Sequence, residues 1–313
     1  MNRYLYIIIT WLLLSCGSSK TTMISIPENS VRASLEYLAS DELEGRNTGS
    51  KGIEKAAVFI EDYFKENNIK PYFETYRDHF KVKDLDAFNL VGYLEGSDSK
   101  LKEEVIIIGA HYDHIGVISK VVENDSIANG ANDNGAGTSS VLAIAEYFGR
   151  KKTNKRSLMF VLFSAEEMGL LGSKHLAKRL KGEEFNLYTM FNIEMVGVPM
   201  QNKSYKAYLT GHKTSNMFSK VNQYANDSAF IGFYTLAETY NLFKRSDNYP
   251  FYSEFKIPAQ TLSTSDDYPF YHHVDDEIDK IDFSHLKIII DKMIEVLEKM
   301  SNTLTQEIKL NNE

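Results

Sequence analysis

The chain has 313 residues, 43 acidic side chains against 35 basic ones, a formal net charge of −8 and one cysteine. The acidic balance argues against nucleic acid as a partner, because phosphate neutralisation needs clustered Lys and Arg. A single thiol excludes an intrachain disulfide and any zinc site built on thiolates.

Arg3 and the apolar run from Tyr4 to Leu14 open the chain. That run is too short for a bilayer, which needs about 20 residues, so it predicts an exported chain with a signal peptide over residues 1–15. Ser15-Cys16 resembles a bacterial lipoprotein processing site, which implies a lipidated Cys16 as the only membrane contact. Gly17, where Asp would suggest inner-membrane retention, points to the outer membrane or cell surface. Residues 16–26 read as a tether, 27–302 as one domain and 303–313 as a C-terminal tail.

Ser30 to Leu38 has helical spacing behind a capping serine. Gly52 to Asn67 puts Ile53, Ala56, Ile60 and Phe64 on one helical face. Phe88 to Leu94 reads as a strand. Glu104 to Ala110 and Leu158 to Ser164 are continuous apolar runs, as strands buried on both faces require. Helices are predicted over Gly137–Phe148 and Gly169–Leu180, a strand over Tyr188–Met195 and a long final helix over Phe283–Met300. Residues 200–270 read mainly as long loops. Alternating strands and helices predict an α/β fold, a single-domain three-layer α/β/α sandwich around a mixed, mostly parallel sheet.

Five clusters of His, Asp or Glu fall at or just after strand ends, where such sheets bind ligands. They are His111-Tyr112-Asp113-His114, Asn132-Asp133-Asn134, Glu166-Glu167, Asn192-Ile193-Glu194 and Tyr271-His272-His273 with Asp275 and Asp276. A lone His after a strand is commonly a solvated side chain, and a Glu pair commonly suits a helix start. Five at one rim would repel at low dielectric unless a cation sits among them. Carboxylates and imidazoles without thiolate suit zinc, and two metals sharing one carboxylate would use this many ligands.

These blocks resemble the zinc aminopeptidase family called M28: His111-x-Asp113, Gly130 to Gly137, Ala165-Glu166-Glu167-x-Gly169 and Asn192-x-Glu194-Met195-x-Gly197. Tyr271-His272-x-x-x-Asp276 and the early Leu38 to Ser50 stretch fit the same pattern. The resemblance implies two zinc ions per chain and peptide substrates. It places His111 and Glu194 on one zinc, Glu167 and His272 on the other, and Asp133 on both. It makes Glu166 the general base for a zinc-acidified water, and has Asp113 fix the far nitrogen of His111. It also implies a cis peptide at Asp133-Asn134. Glu194 stands where most relatives have Asp, which leaves open a single-zinc site and a glutaminyl cyclase-like acyltransferase. Asn248 replaces a frequent His in the segment Arg245 to Phe251, which bears on specificity. His114 and His273 are expected outside the ligand set, and His79, His175, His212 and His285 as structural or exposed.

Overall fold

The computed structural model describes residues 26–311. The predicted signal peptide, Cys16 and all but the last tether residue lie outside the described residues. In chain order, α1 (Glu28–Leu38) and α2 (Lys51–Glu66) precede β1 (Lys70–Pro71), β2 (Arg77–Val82), β3 (Leu85–Leu94) and β4 (Val105–His111). A hairpin of β5 (Gly116–Val122) and β6 (Asp125–Ala128) leads to α3 (Gly137–Lys151), β7 (Ser157–Phe163), α4 (Leu171–Gly182) and β8 (Leu187–Glu194). Then follow β9 (Ala207–Leu209), α5 (Met217–Tyr224), β10 (Ile231–Gly232), α6 (Thr235–Thr239), α7 (Asn248–Phe255), β11 (Ala259–Ser263) and α8 (Phe283–Asn302).

The main sheet runs β1-β3-β7-β4-β8-β11-β9-β10, with β2 added on β3. Its centre, β7-β4-β8-β11, is parallel, and β3 and β9 flank it antiparallel. Strand alternation then dictates the layers. On β4, Ile106, Ile108 and Ala110 enter one core with α1, α2, α3 and α8. Val105 and Ile107 enter the other, with Leu176, Ala177 and Leu180 of α4 and Phe251 of α7. The fold is therefore the expected single-domain α/β/α sandwich.

The predicted elements are present, with shifted ends. α1 starts at Glu28, with Pro27 at the extended N-cap position (φ −60°, ψ 137°). Ser30 therefore does not cap it, and its hydroxyl faces Glu146 at 3.4 Å. Ser50 does cap α2, its Oγ accepting from the Ile53 amide at 3.2 Å. Residues 200–270 hold three short strands and three short helices where long loops were expected. Elements of two to eight residues are too short to show a period. Residues 303–311 lie along the domain: Ile308 is buried, and its amide donates to the Tyr188 hydroxyl at 2.8 Å.

Candidate metal centre

The parallel strands bring the expected residues to one rim. His111 ends β4 and is followed by Asp113 and His114, and Glu166 and Glu167 follow β7. Glu194 ends β8, Asp133 sits in the turn that opens α3, and His272 lies between β11 and α8. The Asp133 turn is pinned from several sides. Asp276 accepts from the amides of Asn132 and Asp133 at 2.9 Å each. Asn132 Oδ1 accepts from the Gly197 amide at 2.9 Å. Asn134 donates to the Ile193 carbonyl at 3.0 Å and accepts from the Met195 amide at 3.1 Å. Short amide side chains thus satisfy backbone groups that no strand ladder reaches. The Asp133-Asn134 peptide is cis.

His272 Nε2 is 3.0 Å from Glu167 Oε2 and 3.4 Å from Asp133 Oδ2. His114 Nδ1 is 3.0 Å from Glu167 Oε1 and 3.8 Å from Asp133 Oδ2. His111 Nε2 is 3.4 Å from Asp133 Oδ1. Donor atoms of His114, Asp133, Glu167 and His272 all lie within 4.8 Å of one another, as do those of His111, Glu166 and Glu167. His114, expected outside the ligand set, thus stands in the first of these close groups. Gly130 makes room for its ring, since a Cβ there would come within 2.6 Å of the imidazole. Glu194 is not in either close group. Its carboxylate accepts from Ser246 Oγ and, at 3.4 Å, from Asn192 Nδ2.

Asp113 is placed differently from its expected role. His111 Nδ1 faces the Asp113 main-chain carbonyl at 3.1 Å, while the carboxylate is 3.8 Å away. That carboxylate is engaged by Thr48 Oγ1 at 3.1 Å and by the Glu166 amide at 3.2 Å, so it steadies Glu166. His273 pairs with Asp275 at 3.3 Å, away from both groups. Asn248 donates to the Phe243 and Ala259 carbonyls and accepts from Thr261, which makes it a buried tie between α7 and β11.

Sequence reasoning assigned no role to Arg46, Ser246 or Asp247. Arg46 is buried beneath the rim. Its guanidinium donates to the carbonyls of Tyr112 at 3.0 Å, Asn129 at 2.6 Å, Gly130 at 3.0 Å and to that of Leu38. It thereby ties the His111 and Asp133 loops together. Its place in the Leu38 to Ser50 stretch was the only signal. Asp247 is fully buried, and neither carboxylate oxygen has a hydrogen-bond partner.

Electrostatics divides the centre. Burial disfavours charge on His272, but Asp133 and Glu167 outweigh it and raise the imidazole to about 10. Burial also opposes ionisation of Glu167, yet His114 and His272 hold it at about 2. For Asp133 the same opposition is overcome by His111 and His272, far below the usual carboxylate range. Glu166 is instead raised well above that range, by burial first and then by Glu194 and Asp247, against the pull of His111. Burial raises Glu194 as well, and pushes Asp247 to about 7 and Asp113 to about 6. Charge crowded in this way is what a bound cation would balance. His111 Nε2, His114 Nε2 and Asp133 Oδ2 are buried without a hydrogen-bond partner. Imidazoles and carboxylates with orphaned donor atoms fit a divalent metal, and zinc in particular.

A cavity of about 260 Å³ opens over Asp133, Glu166, Glu167 and Glu194, walled by Tyr208, Tyr234, Tyr268 and Tyr271 among others.

A family model described as peptidase family M28 matches residues 89–297. Aminopeptidase YwaD of Bacillus subtilis is 29% identical over 208 residues, covering 64% of this chain and 41% of its own. The chain spans less than half the length of the first curated relatives it matches. The solved LapA aminopeptidase of Legionella pneumophila matches with a TM-score of 0.69 at 20% identity, over 90% of this chain and 72% of that one. Glutaminyl cyclase of Porphyromonas gingivalis matches with a TM-score of 0.70 at 16% identity, over 88% and 99%. At such identities the likeness is one of fold.

Proposed function

The chain belongs to peptidase family M28, and from that premise we propose that it is a zinc aminopeptidase using two zinc ions per chain and Glu166 as general base. The observation that carries this reading is the convergence of His111, His114, Asp133, Glu167 and His272, with orphaned donor atoms among them, next to a cavity that Asp133 and Glu167 line. One zinc would be held by His111, Asp133 and Glu194, the other by Asp133, Glu167 and His272 with His114 beside them. Bound zinc supplies Lewis acidity at the scissile carbonyl and at the attacking water.

The chain's own residues do the rest. Glu166 lines the cavity beside the metal cluster, and bound cations would offset the crowding that raises its carboxyl, leaving a carboxylate free to accept a proton. It takes the proton of the attacking water and returns it to the leaving amine as the C–N bond breaks. Asp113 holds the Glu166 amide and so its orientation.

The test is metal content per chain together with hydrolysis of aminoacyl-p-nitroanilides, on protein starting after Cys16. Two zincs, and turnover lowered about 10²–10⁴-fold in Glu166→Ala with zinc retained, are expected for a lost general base. A second reading, a single-zinc glutaminyl cyclase-like acyltransferase, is favoured only by Glu194 turning to Ser246 and Asn192. One zinc, no release from any anilide and cyclisation of an N-terminal glutamine peptide would establish it instead. Export and lipidation at Cys16 with an outer-membrane location complete the proposal. Labelling of the full chain by a fatty acid, abolished in Cys16→Ser, tests them. Among the described residues no helix is long and apolar enough to cross a membrane.

A further inference from the structure

The cavity over the candidate centre has one cationic side chain in its lining, Arg245, against five carboxyl groups. Four of those belong to the metal cluster and its base, Asp133, Glu166, Glu167 and Glu194, and their charge is what bound metal would balance. The fifth is Asp267.

Arg245 also differs from the other arginines of residues 26–311. Arg32, Arg77, Arg150, Arg156 and Arg179 each pair with a carboxylate, and Arg46 is spent on main-chain carbonyls. No side-chain hydrogen bond or ion pair holds Arg245 among the described residues. Nor is it remote from the chemistry. It directly precedes Ser246, whose hydroxyl donates to Glu194, and adjacent Cα atoms are about 3.8 Å apart. Arg245 is an exposed residue that lines the same cavity as Glu194. The cavity is small for a ligand site, below the usual range of about 300–1,000 Å³. A group held at its floor keeps its other end near the wall.

We propose that Arg245 makes this cavity select substrates that carry a carboxylate next to the scissile bond. The inference rests on the aminopeptidase reading for which bond is cut, but not for the binding of the anion. A guanidinium fork matches a carboxylate with two parallel hydrogen bonds. With the metal-balanced floor beneath it, an unpaired arginine is the complement of that anion. Two substrate groups present this chemistry: the C-terminal carboxylate of a dipeptide and the side chain of an N-terminal Asp or Glu.

The experiment compares matched pairs on the zinc-loaded protein. Leu-Gly against Leu-Gly-amide reads the C-terminal carboxylate. Glu-Ala-amide against Gln-Ala-amide reads the side chain. The carboxylate member of at least one pair is expected to win by about tenfold in kcat/KM, through KM, as a charged hydrogen bond at a partly exposed site provides. Arg245→Met and Arg245→Gln should bring that ratio close to one, and Arg245→Lys should keep part of it. Calorimetric binding of the same four peptides to Glu166→Ala reads the preference without turnover. Failure of the wild-type protein to cleave any peptide would thus sink the aminopeptidase reading alone. Equal binding within both pairs, or a preference that survives Arg245→Met, overturns the role of Arg245.

Discussion

Around Asp133 the centre has a paired side and a crowded side. On the paired side Glu167 and Asp133 face His272 and His114 at 3.0 to 3.8 Å, and both carboxyl groups are held ionised. On the crowded side Glu166, Glu194 and Asp247 stand among one another in buried surroundings, and all three are raised. The same residue types thus behave oppositely according to their neighbours. Imidazoles turn the first group into a ready cation cradle. Mutual repulsion and desolvation turn the second into proton acceptors that want a positive charge from metal or substrate.

The comparison can be broken most severely at the paired side. His272→Ala should remove one zinc per chain and lower turnover about 10³-fold, the several kcal/mol that a lost Lewis acid is worth. Two zincs by elemental analysis in that variant would show that the pairing holds no metal. Next in size is the crowded side in metal-free protein. The folded pKa of Asp247, about 7, lies above its unfolded value. Folding therefore binds a proton there, and stability falls as pH rises from about 4 through 7. Asp247→Asn should regain about 2–4 kcal/mol at pH 8 and little at pH 4, read by denaturant unfolding at both. An equal change at the two pH values would mean that the Asp247 carboxyl is not raised in the folded protein.

A smaller effect sharpens the role of His114. His114→Ala should weaken the zinc proposed at Asp133, Glu167 and His272 about 10–100-fold in equilibrium dialysis, as loss of a group beside a ligand does. The smallest is at Glu194. Ser246→Ala deletes its hydroxyl donor, worth about 1 kcal/mol. The expected result is less than a tenfold loss in kcat/KM and an acidic limb of the pH profile moved upward. An unmoved limb would mean that Glu194 does not take part in the titration.

Much of the paired side, and His111 against Asp133, was legible. His111, Asp133, Glu167 and His272 stand out because chemistry-bearing residues recur after buried strands, and β4 and β7 announce themselves as continuous apolar runs. His114 was not legible as a participant. A histidine beside a predicted ligand looks the same whether its ring turns to solvent or to Glu167, and that choice depends on Gly130, which adjoins it only in space. The crowded side was harder still. Asp247 carries no periodic or motif signal of its own, and Ser246 reaches Glu194 only because β11 pairs with β8 and carries the preceding segment to the rim. The carboxylate of Asp113 was expected at His111, but Thr48 and the Glu166 amide claim it.

The amino-acid sequence by itself determined the layered α/β architecture, the central buried strands and the chemical kind of the site, because burial on both faces and residue type are local properties. Tertiary structure alone decided which carboxylates are paired and which are crowded, where the Asp113 carboxylate is spent, and that Arg245 is left without a partner. Those outcomes are set by distances between strands far apart in the chain, and the energy of a buried charge depends on its neighbours in space rather than in sequence.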